Sequence, residues 1–312
     1  PVFAGNSAYR SRDPSFTGIV GLFDSLYLPL ERGDNELLLI VAEAFGGWGF
    51  VVQRAGAELL APGVSRAWRL DDDALRTPES AACDPRSGFV YVSNFDRAAF
   101  GDPAASQAVS RLSVDGRLLD REWARGLKNP AGLAIAGDRL LIVERGGVAE
   151  ADLASGEIVA RRPIAGGRLL NDVALDAQGR VYVSDSNAGV VHRLTDGVAE
   201  VWLSGPEAAQ PNGLLVDGNR LLVATNSDRC LKAFDLESKA MTPVAKLPPG
   251  TLDGLAADGR GGFLVSQVEG RLYRVDGDGR IEKLLDVSAA GGGVADIGFD
   301  PARRTVYAPG FG

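Results

Sequence analysis

Apolar and polar positions along this chain fall into short runs, each closed by a turn. Leu170-Asn171-Asp172-Val173-Ala174-Leu175-Asp176, followed by Gly179-Arg180-Val181-Tyr182-Val183-Ser184-Asp185, shows the unit. It reads as a polar pair, an apolar strand, a tight turn and a second apolar strand. Runs this short, rich in β-branched residues and bounded by Asp, Gly and Asn, predict strands rather than helices.

The unit recurs. Aligned on the residue before each first strand, the chain gives Glu79-Ser80-Ala81-Ala82, Ala131-Gly132-Leu133-Ala134 and the stretch from Asn171. It continues with Asn212-Gly213-Leu214-Leu215, Asp253-Gly254-Leu255-Ala256 and Ala295-Asp296-Ile297-Gly298. The anchors at 79, 131, 171, 212, 253 and 295 are 52, 40, 41, 41 and 42 residues apart. Third strands follow at Val109–Leu112, Val190–Leu194, Cys230–Phe234 and Arg271–Val275, leading into turns such as Asp196-Gly197 and Asp278-Gly279. A period near 40 built from short strands predicts an all-β, six-bladed β-propeller of four strands per blade. The long first spacing reads as an insertion around 96–107.

Residues 1–47 follow no repeat and predict a short extra N-terminal β segment, a jelly-roll-like remnant. Residues 48–312 are assigned to the propeller. Only two strands of the last blade precede Gly312, so upstream strands near Phe50–Gln53 and Ala67–Leu70 are expected to complete it. An unclosed ring would expose unpaired backbone groups.

Composition narrows the partners. The formal net charge of −8 argues against nucleic acid or an anionic membrane surface. No window reaches the ~20 apolar residues of a membrane helix. The chain begins at Pro1 without a recognisable signal peptide, which is read as a processed or trimmed chain. A soluble protein is expected, monomeric or weakly oligomeric, periplasmic or secreted if its N-terminus was processed. Cys83 and Cys230 are expected to be buried free thiols. With one histidine, they cannot build the usual zinc sites.

The first strand of every propeller blade lines the central channel, so the anchor residues converge at one mouth. That column reads Glu79, Ala131, Asn171, Asn212, Asp253, Ala295. Four of the six are oxygen donors, a mixture of carboxylates and amides that suits a hard divalent cation such as Ca²⁺. Two carboxylates roughly balance one divalent charge. Position two of the repeat adds Asp172 and Asp296; Asp172 shares its place with Gly132, Gly213 and Gly254 and reads as a turn or supporting residue. Asn-Gly and Asp-Gly are also common turn pairs, so each residue taken singly has a purely structural reading.

Pro78-Glu79-Ser80, Leu170-Asn171-Asp172-Val173, Pro211-Asn212-Gly213-Leu214 and Leu252-Asp253-Gly254-Leu255 resemble the motifs of the senescence-marker-protein/gluconolactonase/luciferin-regenerating-enzyme family. The resemblance covers roughly residues 70–312. It implies a propeller with one divalent metal at the channel mouth, Ca²⁺ first and Zn²⁺ or Mn²⁺ otherwise. It also implies hydrolysis of a small-molecule lactone or related ester. Carried over by position, Glu79, Asn212 and Asp253 are metal ligands, and Asn171 contacts metal or substrate. Asp253 is also the candidate general base. The family's arginine two residues before Asn171 is here Leu169, with Arg168 one further back. Asp296, Asp172 and Arg168 are therefore supporting or substrate-facing candidates.

His192 lies mid-strand, away from the channel, and is expected at the surface. A histidine-based lactonase of the paraoxonase type is thereby disfavoured. Ser93 and Ser184 lack a histidine partner for a triad. The alternative to a hydrolase is a non-catalytic, metal-plugged propeller that binds a sugar, a metabolite or a protein. A third reading, a propeller related to strictosidine synthase, needs no metal. Phe95, Phe100, Arg145, Trp202 and Phe311 are candidates for the channel rim.

Overall fold

A computed structural model of the chain describes residues 59–70, 75, 77–95 and 107–310. The chain divides into two compact units, Pro1–Ala57 and Glu58–Gly312. The β segment expected over 1–47, the strand near Phe50–Gln53, the rim candidates Phe100 and Phe311 and nearly all of the 96–107 insertion lie outside the described residues.

The second unit is an all-β propeller. Strand β1 (Leu59–Leu60) comes first. The first blade contains β2 (Pro78–Asp84), β3 (Phe89–Asn94), β4 (Gln107–Ser113) and β5 (Leu118–Leu127). The second contains β6 (Leu133–Ala136), β7 (Arg139–Glu144), β8 (Gly147–Asp152) and β9 (Ile158–Pro163). The third contains β10 (Leu170–Leu175), β11 (Val181–Asp185), β12 (Val190–Thr195) and β13 (Val198–Ser204). The fourth contains β14 (Pro211–Asp217), β15 (Arg220–Thr225), β16 (Cys230–Asp235) and β17 (Met241–Lys246). The fifth contains β18 (Leu252–Ala257), β19 (Phe263–Gln267), β20 (Arg271–Val275) and β21 (Ile281–Asp286). A last sheet has only β22 (Gly298–Asp300) and β23 (Thr305–Tyr307). Each blade is an antiparallel meander in chain order.

The described residues thus form five complete blades, not the expected six. The strand found upstream, β1, does not complete the last sheet: it pairs with β21 and lengthens blade five. Ala67–Leu70 forms no strand. Trp68 nevertheless ties this segment to both ends of the unit. Its indole Nε1 donates to Val114 O at 3.1 Å, and its ring stacks at 6.0 Å on Tyr307 of β23. The innermost strands still close a ring, because β22 lies against both β2 and β18. The Asp296 N–H donates to Glu79 O at 2.9 Å across that seam.

Blades pack through apolar faces. Tyr182, Trp202, Leu221 and Phe234 form one cluster between the third and fourth blades, with Tyr182 and Trp202 edge to face at 5.1 Å. Each such side chain withdrawn from water contributes about 1.5–3 kcal/mol. Trp202 is therefore a core residue and not part of the rim. His192 is also buried, with Nε2 3.6 Å from Asp185 Oδ2, contrary to the surface position expected for it. Cys83 and Cys230 are free but half-buried.

The acids that end the first strands fix the turns that follow. Asp176 Oδ1 accepts the Gln178 and Arg180 N–H groups, each at 2.9 Å, and its Oδ2 accepts Arg180 Nε. Asp258 does the same for Arg260, Gly262 and Arg274. Hydrogen bonds and the nearby arginine hold both carboxyls below their usual range despite burial.

Candidate functional site

A bulge opens each site-bearing first strand at the anchor. In β10, Leu170 pairs with Asp185 and Val173 with Val183, so Asn171 and Asp172 together face Ser184 alone. The same shift sets Glu79-Ser80 opposite Ser93, Asn212-Gly213 opposite Ala224 and Asp253-Gly254 opposite Ser266. Two residues against one bends the strand and re-aims side chains, as bulges commonly do beside functional sites. The serine supplies the acceptor that the ladder has lost. Ser93, Ser184 and Ser266 Oγ accept the N–H of Ser80, Asp172 and Gly254 at 3.0, 2.9 and 2.7 Å. These serines are structural, which accounts for them without a triad.

In three blades the loop leading into the anchor is pinned by a side chain of the second strand. Asp185 accepts the N–H groups of Arg168 and Leu169 at 2.8 and 2.9 Å, and that of Ala188 at 3.0 Å. In blade two, Glu144 holds the Lys128 N–H. In blade five, Gln267 Nε2 donates to Pro248 O.

Glu79, Asp172, Asp253 and Asp296 are all buried at the channel. Burial pushes the Asp253 carboxyl up to about 7, with the Asp296 charge adding to it and the Asn212 amide opposing it. Burial raises Asp296 to about 7 as well, against the hydrogen bonds it accepts from Ser80 and the Ile297 N–H. Burial and then the charges of Asp253, Asp296 and Asp172 hold Glu79 well above the carboxylate range. Asp172 is raised by burial and by Asp296. Four acids therefore share one field, with no cation among the groups that act on them.

Asp172 and Asp296 are held differently from the anchors. Asp172 Oδ2 accepts the Leu214 N–H of the next blade at 2.6 Å, and its Oδ1 accepts the Val173 N–H at 2.7 Å. Asp296 Oδ1 accepts the Ile297 N–H at 2.8 Å, and its Oδ2 accepts Ser80 Oγ–H at 2.5 Å. Room for both comes from glycine. A Cβ on Gly132 would stand 2.5 Å from Asp172 Oδ1, and one on Gly254 would stand 2.3 Å from Asp296 Oδ1. Among the described residues, no three His, Cys, Asp or Glu side chains close into a metal cluster as they stand.

In the anchor column, two oxygens remain without partners among the described residues. Glu79 Oε2 and Asn212 Oδ1 are buried and accept no hydrogen bond, while Asn212 Nδ2 donates to Leu252 O at 3.1 Å. Unpartnered buried oxygens beside carboxylates in a field that lacks positive charge fit a bound cation.

Asn171 is half-buried and lines, with Asn212, an open cleft of about 860 Å³ at the mouth of blades three to five. Glu79 and Asp253 lie outside that lining. The cleft walls are polar, with Asn226, Arg229, Lys246 and Glu269 among them. Arg168 is exposed and does not line it; Leu169 does. Arg145 is exposed and Phe95 half-buried. The anchor column was legible from the repeat. The bulge serines and the environment of Asp172 were not, although Ser93, Ser184 and Ser266 recur about two periods apart, at the same place in alternate blades.

Fold and site define a β-propeller with a ring of acids and amides at its channel. The chain belongs to the SMP-30/Gluconolactonase/LRE-like family, whose match spans residues 105–308. Among solved structures it is similar to a gluconolactonase from Xanthomonas campestris, with 22% identity and a TM-score of 0.59 over 83% of this chain and 96% of that one. It is similar to the calcium-binding protein regucalcin from Agrobacterium tumefaciens, with 17% identity and a TM-score of 0.55 over 73% and 79% of the two chains. A third, virginiamycin B lyase from Staphylococcus aureus, shows 14% identity and a TM-score of 0.54 over 77% of each. No match was found among curated proteins.

Proposed function

We propose that the chain is a divalent-cation-dependent lactonase. The observation that carries this reading is the pair of buried, unpartnered oxygens, Glu79 Oε2 and Asn212 Oδ1, in the same field as an Asp253 held near neutrality. Glu79, Asn212 and Asp253 would hold the cation, with Asn171 facing it or the substrate. Ca²⁺ is the first candidate, supported by oxygen-only donors and by the calcium-binding regucalcin neighbour. When bound, it polarises the lactone carbonyl and offsets charge developing on its oxygen.

The remaining chemistry belongs to the chain. A cation beside Asp253 would favour its carboxylate form, which is suited to taking a proton from the attacking water. Water oxygen bonds to the carbonyl carbon, Asp253 takes its proton, the ring C–O bond breaks, and the proton passes to the leaving alkoxide. The product is a hydroxy acid. The Ser80 and backbone hydrogen bonds keep Asp296 in place beside the base.

Hydrolysis of a lactone panel, with and without chelator, tests the reading. Asp253→Asn and Glu79→Gln are expected to lower turnover by about 10²-fold or more. Glu79→Gln should also lower bound calcium. Full activity in both variants, or in chelated protein, would sink it.

Leu169, where the family carries arginine, favours a second reading, a non-catalytic propeller plugged by metal. Retained metal with no turnover of any lactone or ester would select it. The lyase neighbours give less support. A histidine-to-alanine variant of virginiamycin B lyase is described as catalytically inactive, whereas the only histidine here is buried beside Asp185.

A further inference from the structure

The turn between the second and third strands ends the same way in four blades. Its last residue takes positive φ: Gly146 at 96°, Gly189 at 69°, Gly270 at 95° and, in blade four, Arg229 at 60°. Three blades use glycine, for which this conformation is free of Cβ strain. The fourth spends an arginine there. Positive φ alone does not single it out, since Lys239 and Arg304 share it in exposed turns. Its surroundings do.

Arg229 lines the 860 Å³ cleft beside Asn171 and Asn212. Its Nε is buried and, among the described residues, has no hydrogen-bond partner, nor does its guanidinium form an ion pair there. Lys246, on the neighbouring strand and paired in register with Cys230, is exposed and makes no ion pair among the described residues. The acids in the lining are already engaged. Asp228 Oδ2 lies 2.7 Å from Lys232 Nζ and its Oδ1 accepts Thr225 Oγ1–H, while Glu269 accepts the Thr251 N–H and hydroxyl. The cleft therefore offers a half-buried guanidinium with an unpartnered Nε, an exposed lysine beside it, amides and hydroxyls, within the volume range of small-ligand pockets.

From these features we infer that the cleft takes a small anionic ligand, whose carboxylate or phosphate is read by Arg229 with support from Lys246. A guanidinium fork suits either group through two parallel hydrogen bonds. The strain at Arg229 is retained because glycine could not supply that fork. The inference rests on the lactonase reading only for the rest of the ligand: the lactone or ester would lie toward Asn171 and Asn212 and its anionic end toward Arg229.

Calorimetric titration with gluconate, inorganic phosphate and neutral glucose tests it, on wild type, Arg229→Gly, Arg229→Lys and Lys246→Met. Wild type is expected to bind at least one of the anions and not glucose. Gluconate binding alone identifies a carboxylate site, and phosphate binding alone a phosphate site. Arg229→Gly should weaken anion binding at least about tenfold. It should also leave the melting temperature unchanged or raised, because glycine suits the backbone better. A merely structural arginine would show the reverse pattern. Arg229→Lys should retain part of the affinity, and Lys246→Met should lose less than Arg229→Gly. Equal anion binding in wild type and Arg229→Gly, or no anion binding in wild type, overturns the inference. Arg229-dependent anion binding without turnover of any lactone upholds it and removes the lactonase reading. Lactone turnover without Arg229-dependent anion binding does the opposite.

Discussion

Ser80 Oγ donates to Asp296 Oδ2 at 2.5 Å, joining the first blade to the two-stranded last sheet across 216 residues of chain. Asp296 returns the link through its N–H to Glu79 O at 2.9 Å. Ring closure and the acidic site thus share residues. Ser80→Ala removes the hydroxyl donor and leaves a buried carboxyl under-satisfied. A loss of about 1–3 kcal/mol is expected in guanidinium unfolding. An unchanged midpoint would mean that this bond does not hold the seam.

The acids predict an unusual pH response in chelated protein. A carboxyl whose folded pKa lies above its unfolded value binds protons more tightly when folded. Asp253 and Asp296, at about 7, and the raised Glu79 and Asp172 all act in this sense. Stability should be full below the unfolded value of about 4 and fall as pH rises toward about 7. Added Ca²⁺ should flatten that fall, by about 2.7 kcal/mol at a hundredfold excess over Kd. Melting temperatures at about pH 5 and about pH 8, with and without calcium, check both parts.

Gly254→Ala would put a Cβ 2.3 Å from Asp296 Oδ1 and 2.5 Å from Ile297 N. The backbone atom cannot move without disturbing the seam. A loss of about 1–3 kcal/mol is expected, measured by denaturant unfolding. Gly277→Ala, whose Cβ would meet nothing closer than 3.4 Å, serves as the control.

Asp185 behaves oppositely to the channel acids. Three backbone N–H groups hold its carboxyl below the usual range despite burial. Its contribution is present above the unfolded pKa of about 4 and lost as pH falls through the lower folded value. Asp185→Asn should cost about 1–3 kcal/mol at neutral pH and flatten the acid limb of the stability profile. A variant with an unaltered acid limb would count against this role.

The propeller was legible because its strands announce themselves locally. Alternation of apolar and polar residues and Asp or Gly at each turn recur at a near-constant period. The anchor column follows from that period alone, so Glu79, Asn171, Asn212 and Asp253 could be aligned without coordinates. The blade count misled because the repeat counts first strands. Six first-strand positions close the ring, but only five described blades are complete, and β1 pairs with blade five instead of the last sheet. Which distant edge a short upstream strand joins is decided by long-range pairing, which no local pattern encodes.

By itself, the sequence determined the β class, the repeat, the turns and the column of oxygen donors, since these depend on neighbours in the chain. Tertiary structure decided what surrounds each side chain. It buried Trp202 and His192, which looked peripheral. It brought Asp172 into the field of Glu79, Asp253 and Asp296, and it set Ser184 and its equivalents to answer the bulges. Burial, field and unpaired charge arise only where separate blades meet. That is why the unpartnered Glu79 Oε2 and Arg229 Nε were beyond the reach of the linear pattern.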